Sequence, residues 1–162
     1  MRPQTPSPAA MSVRVASLSD RPALAALEAA SFTQDRITPR SWQRLLQRQS
    51  ALVLVAPHDT GIAGALVLLF RNGSRIARIY SIAVASAERG TGIGPALIGW
   101  ALLVAAARQC RAVRLETRLD NIQAQALFAR QGFAVTGRTD GYYQDGTAAL
   151  RLERPIHAPH SF

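Results

Sequence analysis

Lysine is absent from this chain of 162 residues, cysteine occurs once, and aromatic residues number ten. Without lysine there is no Walker-type phosphate loop, which must end in Gly-Lys-Ser/Thr. The basic charge then rests wholly on arginine: 19 basic side chains against 10 acidic ones leave a formal charge of +9. Arginine does not deprotonate in proteins, so that charge persists at any tolerable pH and suits an acidic ligand. The single cysteine, Cys110, allows no intramolecular disulfide, which fits a reducing cytoplasm; at the end of an apolar run it reads as packing. Few aromatics and scattered arginines do not make the interleaved basic and aromatic stripe of a nucleic-acid binder. The apolar run through Trp100 is too short for a membrane span. Residues 1–11 hold three prolines and no signal-peptide core, so they read as a disordered tail, with Met11 an alternative start.

What remains describes a globular protein with ordinary hydrophobic content. One domain is expected over residues 12–156, with a short polar tail at 157–162. Val13 to Ala16 reads as a strand. Asp20, with Pro22 close behind, marks the N-cap of a helix to about Ala30, with Leu24 and Leu27 at helical spacing. A polar loop, Thr33 to Pro39, leads to a second short helix, Ser41 to Gln49, with Trp42, Leu45 and Leu46 on one face. Ala51 to Ala56, Ile62 to Phe70 and Ile76 to Val84 read as an antiparallel meander, turning at Pro57–Gly61 and Arg71–Ser74. His58 would sit at a turn tip. The following helix, to Arg108, is apolar on nearly all sides and is predicted to be largely buried. Val113 to Thr117 is the next strand, and Asn121 to Gln131 the next helix, capped by Asp120 or Asn121 and ended by Gly132. Phe133 to Thr136 and Ala148 to Leu152 should pair as a final hairpin.

Between the third meander strand and the long apolar helix stands Arg89-Gly90-Thr91-Gly92-Ile93-Gly94. Glycines at alternate positions let the backbone approach a ligand and turn N–H groups toward it. The start of a helix adds free donors and the positive end of its dipole. Together these make a pocket for phosphate or pyrophosphate, to which Arg89 can add a charge-assisted contact. A dinucleotide fingerprint does not fit, because Pro95 stands where Gly or Ala is required. The plainer alternative is a glycine turn before a helix.

Arg89-x-x-Gly92-x-Gly94 on a strand–loop–helix resembles the acyl-CoA-binding motif of the GNAT superfamily of N-acetyltransferases. Leu115 to Asn121, Ala126-Leu127-Phe128 and Gln131-Gly132-Phe133 are similar, in order, to that family's next strand, helix and strand start. Tyr142-Tyr143 with Asp145-Gly146 resembles the closing segment of its peptide N-terminal branch, which includes the ribosomal-protein alanine acetyltransferases. The resemblance runs from about Val13 to Ile156. It implies an α/β, layered GNAT fold: a central mixed, mostly antiparallel sheet with helices on both faces. It also implies acetyl-CoA as donor, no metal, and a primary amine as acceptor. A peptide or protein amino terminus comes first, since a small-molecule amine would ask for acidic groups and those are scarce. The alternatives are a small-molecule acceptor, or a non-catalytic acyl-CoA-binding or sensing protein. Monomer and homodimer are both compatible with the family.

By the same resemblance Arg89, Gly90, Thr91, Gly92, Ile93 and Gly94 hold the pyrophosphate, with Pro95 removing one donor. The backbone of Ile82, Ala83 and Val84 holds the pantetheine arm. Asn121 contacts that arm, caps its helix, or does both. Glu116 falls at the branch's general base; its plainer role is an ion pair with Arg114 or Arg118. Where the branch carries a tyrosine to protonate the leaving thiolate, this chain has Phe128, which can pack on CoA but donates nothing. Tyr142 and Tyr143 are then the candidate donors, unless they line the core or the acceptor groove, or the thiolate leaves unprotonated. Asp35, Arg36 and Ile37, in the loop between the first two helices, are candidate substrate contacts or simply a solvated loop.

Overall fold

The computed structural model describes residues 12–33, 36–59 and 61–157. Along the chain come β1 (Arg14–Val15), α1 (Arg21–Ser31), α2 (Pro39–Gln47), β2 (Ala51–His58), β3 (Gly61–Leu69) and β4 (Ile76–Val84). Then follow α3 (Ile93–Ala107), β5 (Ala112–Arg118), α4 (Ile122–Arg130), β6 (Ala134–Thr139) and β7 (Ala149–Pro155). The seven strands form a sheet in the order β1-β2-β3-β4-β5-β7-β6. It is mixed and mostly antiparallel: β1 on β2, β5 on β7 and β6 on β7 run antiparallel, while β4 and β5 are parallel. β2, β3 and β4 lie side by side in chain order, as a meander requires. Two compact units emerge, each discontinuous in sequence. One joins the residues up to Leu68 with Ser81–Ala101; the other joins Leu69–Tyr80 with Leu102 onward.

In the first unit, β2 and β3 carry the core. Val53 to Ala56 and Ala63 to Leu68 are buried without interruption. Strands buried on both faces lose the two-residue alternation, which is why both read as continuous apolar runs. Leu24 and Leu27 of α1, and Trp42 and Leu45 of α2, are buried at helical spacing. α2 starts two residues earlier than the sequence indicated. Thr38 accepts the Ser41 N–H at 3.1 Å, and Pro39 takes the first helical position, where no N–H is needed. Asp20 does sit at the start of α1, but its carboxylate turns back to the Ser17 N–H at 2.8 Å. It also makes a two-point pair with Arg14, both contacts at 2.8 Å, and that hydrogen bonding is the main cause of a pKa lowered to about 2.

The apolar composition of α3 predicts burial on nearly all sides, and here the structure differs. Leu97, Ile98, Ala101 and Ala105 are buried, whereas Trp100 is 42% and Leu103 62% exposed. A helix beside a sheet buries one stripe, and none of the described residues covers the opposite side. No helix among the described residues is long and apolar enough to cross a membrane.

In the second unit β5 alternates. Val113, Leu115 and Thr117 are buried; Arg114, Glu116 and Arg118 take the other face and are half-buried. α4 begins at Asn121, whose side chain accepts the Ala124 N–H at 3.1 Å. It ends at Gly132 (φ 86°), with Phe133 N–H on the Phe128 carbonyl and Gly132 N–H on that of Ala129. This 6→1 and 5→2 pair is a Schellman closure, and it brings Phe133 edge-on to Phe128 at 5.2 Å. β6 and β7 pair as expected but extend further, with a bulge between Val135 and Gly137. Cys110 is buried, and burial pushes its thiol pKa up, in keeping with packing.

Candidate active site

The glycine loop belongs to the first unit. Gly90 (φ 82°) and Gly92 (φ 91°) are left-handed. A Cβ on Gly90 would meet nothing within 4 Å, so glycine is required there by conformation, not by space. The Gly92 carbonyl accepts the Ala96 N–H at 3.1 Å and so opens α3. Among the described residues, the N–H groups of Gly92, Ile93 and Gly94 meet no backbone acceptor. Unpaired donors of this kind at a helix N-terminus suit a phosphate or pyrophosphate. Thr91 rests on the Glu88 carbonyl through both its N–H and its hydroxyl. The Glu88 carboxylate in turn meets His58 Nε2 at 3.0 Å. His58 is therefore not at a turn tip: β2 runs on past Ala56, and His58 closes that strand and braces the approach to the loop. Arg89 is exposed beside it.

Gly64 of β3 belongs to no motif, yet it decides where α3 can start. A Cβ there would lie 2.6 Å from Ile93 Cγ2 and 3.2 Å from both Leu97 Cδ1 and the Ala83 carbonyl oxygen. A glycine inside an apolar strand is the one sequence signal that could have revealed this close approach. Ile82, Ala83 and Val84 lie on β4 beyond Ile79, the last residue to pair with β5 in a ladder running from Ile76↔Ala112 to Ile79↔Leu115.

Asp35 lies outside the described residues. Arg36 donates to the carbonyls of Phe32 and, at 3.1 Å, of Ala29, covering the end of α1. Ile37 is buried, and its N–H donates at 2.8 Å to the buried carboxylate of Glu28. Burial pushes the Glu28 pKa up, with the Ile37 N–H opposing it.

The remaining candidates lie in the second unit. Glu116 is 13% exposed at the side chain and accepts from Arg78 Nε through Oε2 at 2.8 Å. Its other oxygen, Oε1, is 4.0 Å from Arg114 Nε, beyond hydrogen-bond length. Arg78 also donates through Nη2 to the Tyr142 hydroxyl at 3.2 Å. One guanidinium thus ties Glu116 to Tyr142. Tyr142 is 45% exposed and stands edge-on to Tyr143 at 5.0 Å. Arg118 lies over the Tyr143 ring at 4.9 Å, and it bonds the Asp145 carboxylate and, at 2.9 Å, the Thr147 hydroxyl. Hydrogen bonding to Arg118 is the chief reason the Asp145 pKa is lowered to about 2. Of the two arginines expected beside Glu116, Arg114 makes only a loose ion pair at 4.0 Å and Arg118 serves the tyrosine turn; the hydrogen-bonded partner is Arg78. Asn121 keeps its capping role, and Phe128 is only 2% exposed.

A mixed seven-stranded sheet with a glycine loop between β4 and α3 defines the fold. The ribosomal-protein-S18-alanine N-acetyltransferase of Escherichia coli has this fold, with a TM-score of 0.81 at 21% identity, covering 93% of this chain and 96% of that one. Ard1 of Thermoplasma volcanium superposes with a TM-score of 0.79 at 27% identity, covering 90% and 97%. The chain belongs to the Acetyltransferase (GNAT) family, whose sequence profile matches residues 21–133. It is an N-acetyltransferase, and enzymes of this family use acetyl-CoA. Among curated relatives, a Bacillus subtilis protein provisionally named a ribosomal protein bS18-alanine N-acetyltransferase is 29% identical over 74% of this chain and 78% of its own. An uncharacterized N-acetyltransferase of Mycobacterium bovis is 29% identical over 80% of this chain and 82% of its own.

Proposed function

We propose that the chain acetylates the amino terminus of a peptide or protein, with acetyl-CoA as donor and Glu116 as general base. The observation that carries this reading is the joined set Glu116–Arg78–Tyr142: a shielded carboxylate with one oxygen hydrogen-bonded and the other without a hydrogen bond among the described residues, linked to an exposed phenol. The relatives named for ribosomal-protein alanine support the choice of acceptor.

Acetyl-CoA would supply an activated acetyl group as a thioester. Gly90 to Gly94 and Arg89 would take its pyrophosphate, and main-chain groups of Ile82, Ala83 and Val84 its pantetheine arm. Asn121 has an amide NH2 left over from capping that can serve the same arm. Glu116 would take the proton of the acceptor ammonium on Oε1, directly or through water, while Arg78 holds Oε2. Tyr142, whose hydroxyl accepts from Arg78, would return a proton where Phe128 cannot, with Tyr143 as the alternative. Asp35, Arg36 and Ile37 would border the acceptor. The chain would act in the cytoplasm.

Thiol release from acetyl-CoA tests the reading, with peptides of varied first residue compared with small-molecule amines. Turnover on peptides alone supports it. Turnover on small amines alone would replace the acceptor, and binding of acetyl-CoA without turnover on any amine would make the protein a binder.

A further inference from the structure

We propose that the acceptor is acidic: an amino terminus followed within its first residues by Asp or Glu. This rests on the reading above, in which Glu116 marks where the amine is received.

The argument lies in the charge of one strand face in the second unit. Arg78 is the register partner of Arg114, and Arg151 that of Glu116, while Glu153 pairs with Arg114 across β7. Alternation therefore puts all five side chains on one face, opposite the buried Val113, Leu115 and Leu152. Arg78 is engaged by Glu116. Arg114 makes no hydrogen bond among the described residues; its Nε is buried, without a hydrogen-bond partner, and 4.0 Å from Glu116 Oε1. Arg151 is exposed, and neither its side chain nor that of Glu153 is in an ion pair or hydrogen bond with a described residue. Arg118, further along β5, is occupied by Asp120 and Asp145. Three arginines against two glutamates leave an excess positive charge. Two guanidinium groups without a hydrogen bond among the described residues, that of Arg114 in a loose 4.0 Å ion pair with Glu116 and that of Arg151, flank the glutamate that would meet the amine.

A buried N–H without a partner is costly, and a carboxylate is the partner that guanidinium donors fit best. An extended peptide advances about 3.3 Å per residue, and neighbouring strands lie about 4.8 Å apart. A carboxylate one or two residues behind the amine therefore has the reach to meet Arg114 or Arg151. A polycationic acceptor would meet charge of its own sign, and the net charge of +9 steers in the same direction.

The test compares peptides of equal length beginning Ala-Glu, Ala-Gln and Ala-Lys, with free glutamate as an acidic amine lacking a peptide chain. Initial rates of thiol release give kcat/KM for each. We expect Ala-Glu to lead Ala-Gln by about tenfold, the scale of one charge-assisted hydrogen bond, with Ala-Lys last and the lead shrinking in salt. Arg151→Glu should reverse the order, and Arg151→Gln should flatten it without placing a new charge opposite Glu116. Retained acetyl-CoA affinity by calorimetry shows that either variant is folded. Equal rates on the three peptides would overturn the acidic acceptor and leave amino-terminal acetylation standing. Turnover of glutamate with none on any peptide would overturn the peptide reading beneath it, and this proposal with it.

Discussion

The glycine loop and the Arg78–Glu116–Tyr142 cluster present polar groups of different kinds, one from the main chain and the other from side chains. In the loop the donors are N–H groups, and what the sequence must supply is glycine where φ is positive. In the cluster every contact is a side-chain atom, and the three residues come from stretches 38 and 64 residues apart. A main-chain site is insensitive to most substitutions and intolerant of a few. A side-chain site answers to each member in turn, so mutations in the two regions should fail in different kinetic terms.

The sharpest contrast is Glu116→Gln, which keeps an acceptor for Arg78 but cannot take a proton. Turnover should fall by about 10²–10⁴-fold while calorimetry finds acetyl-CoA affinity nearly unchanged. An unaltered kcat across the pH range would remove Glu116 as base. Gly92→Val should show the opposite signature, because a β-branched residue cannot take φ 91° without strain. Acetyl-CoA affinity should drop by about a hundredfold, roughly 2.7 kcal/mol; retained affinity would move the phosphate site elsewhere. If both variants lost the same parameter, the division between the regions would be wrong.

Gly64→Val probes the loop's seat. Its added carbons would collide with Ile93 and the Ala83 carbonyl, and urea unfolding should show a loss of about 1–3 kcal/mol. Tyr142→Phe removes one end of the Arg78 link and Arg78→Gln removes the other. Each should lower kcat by about tenfold, and the double variant should fall short of the product of the two, since they break one network. Additive losses would mean that the residues act separately. The smallest effect belongs to Asp20, an ion pair distant in sequence from both regions. Its folded pKa of about 2 lies below the unfolded 3.8, so its stabilisation is fully present above the unfolded value and fades as pH falls through the folded one. Asp20→Asn should lower the unfolding free energy slightly at pH 6, by less than about 1 kcal/mol in urea titrations, with the difference closing toward pH 2.

These two regions were legible to different degrees. The loop could be read because a positive φ leaves a mark in sequence, and glycines at 90 and 92 are that mark. Glu116 was reached through resemblance, since a lone carboxylate in a strand says little about its task. Arg78 was missed because only the parallel register of β4 and β5 brings it to Glu116, and register is not written at either residue. Arg118 was misassigned for a related reason: one of its partners, Asp145, lies 27 residues away across the tyrosine turn. The strands and helices were found nearly where they stand. The error in α3 came from reading apolar composition as burial on every side, when Trp100 and Leu103 face outward.

The interrupted make-up of the two units bears on how the protein is made. Neither corresponds to a continuous stretch of polypeptide: one lacks its second piece until Ala101 has been synthesised, and the other gathers Leu69–Tyr80 with everything after Leu102. The ladder that sets Arg114 and Glu116 opposite β7 runs to the pairing of Ala112 with Pro155, and β7 is made only after α4 and β6. On a ribosome adding about 5–20 residues per second, β5 must then wait seconds for β7 with only its β4 side able to pair. A chain stalled short of β7 would hold a finished glycine loop and an unfinished β5–β7 ladder.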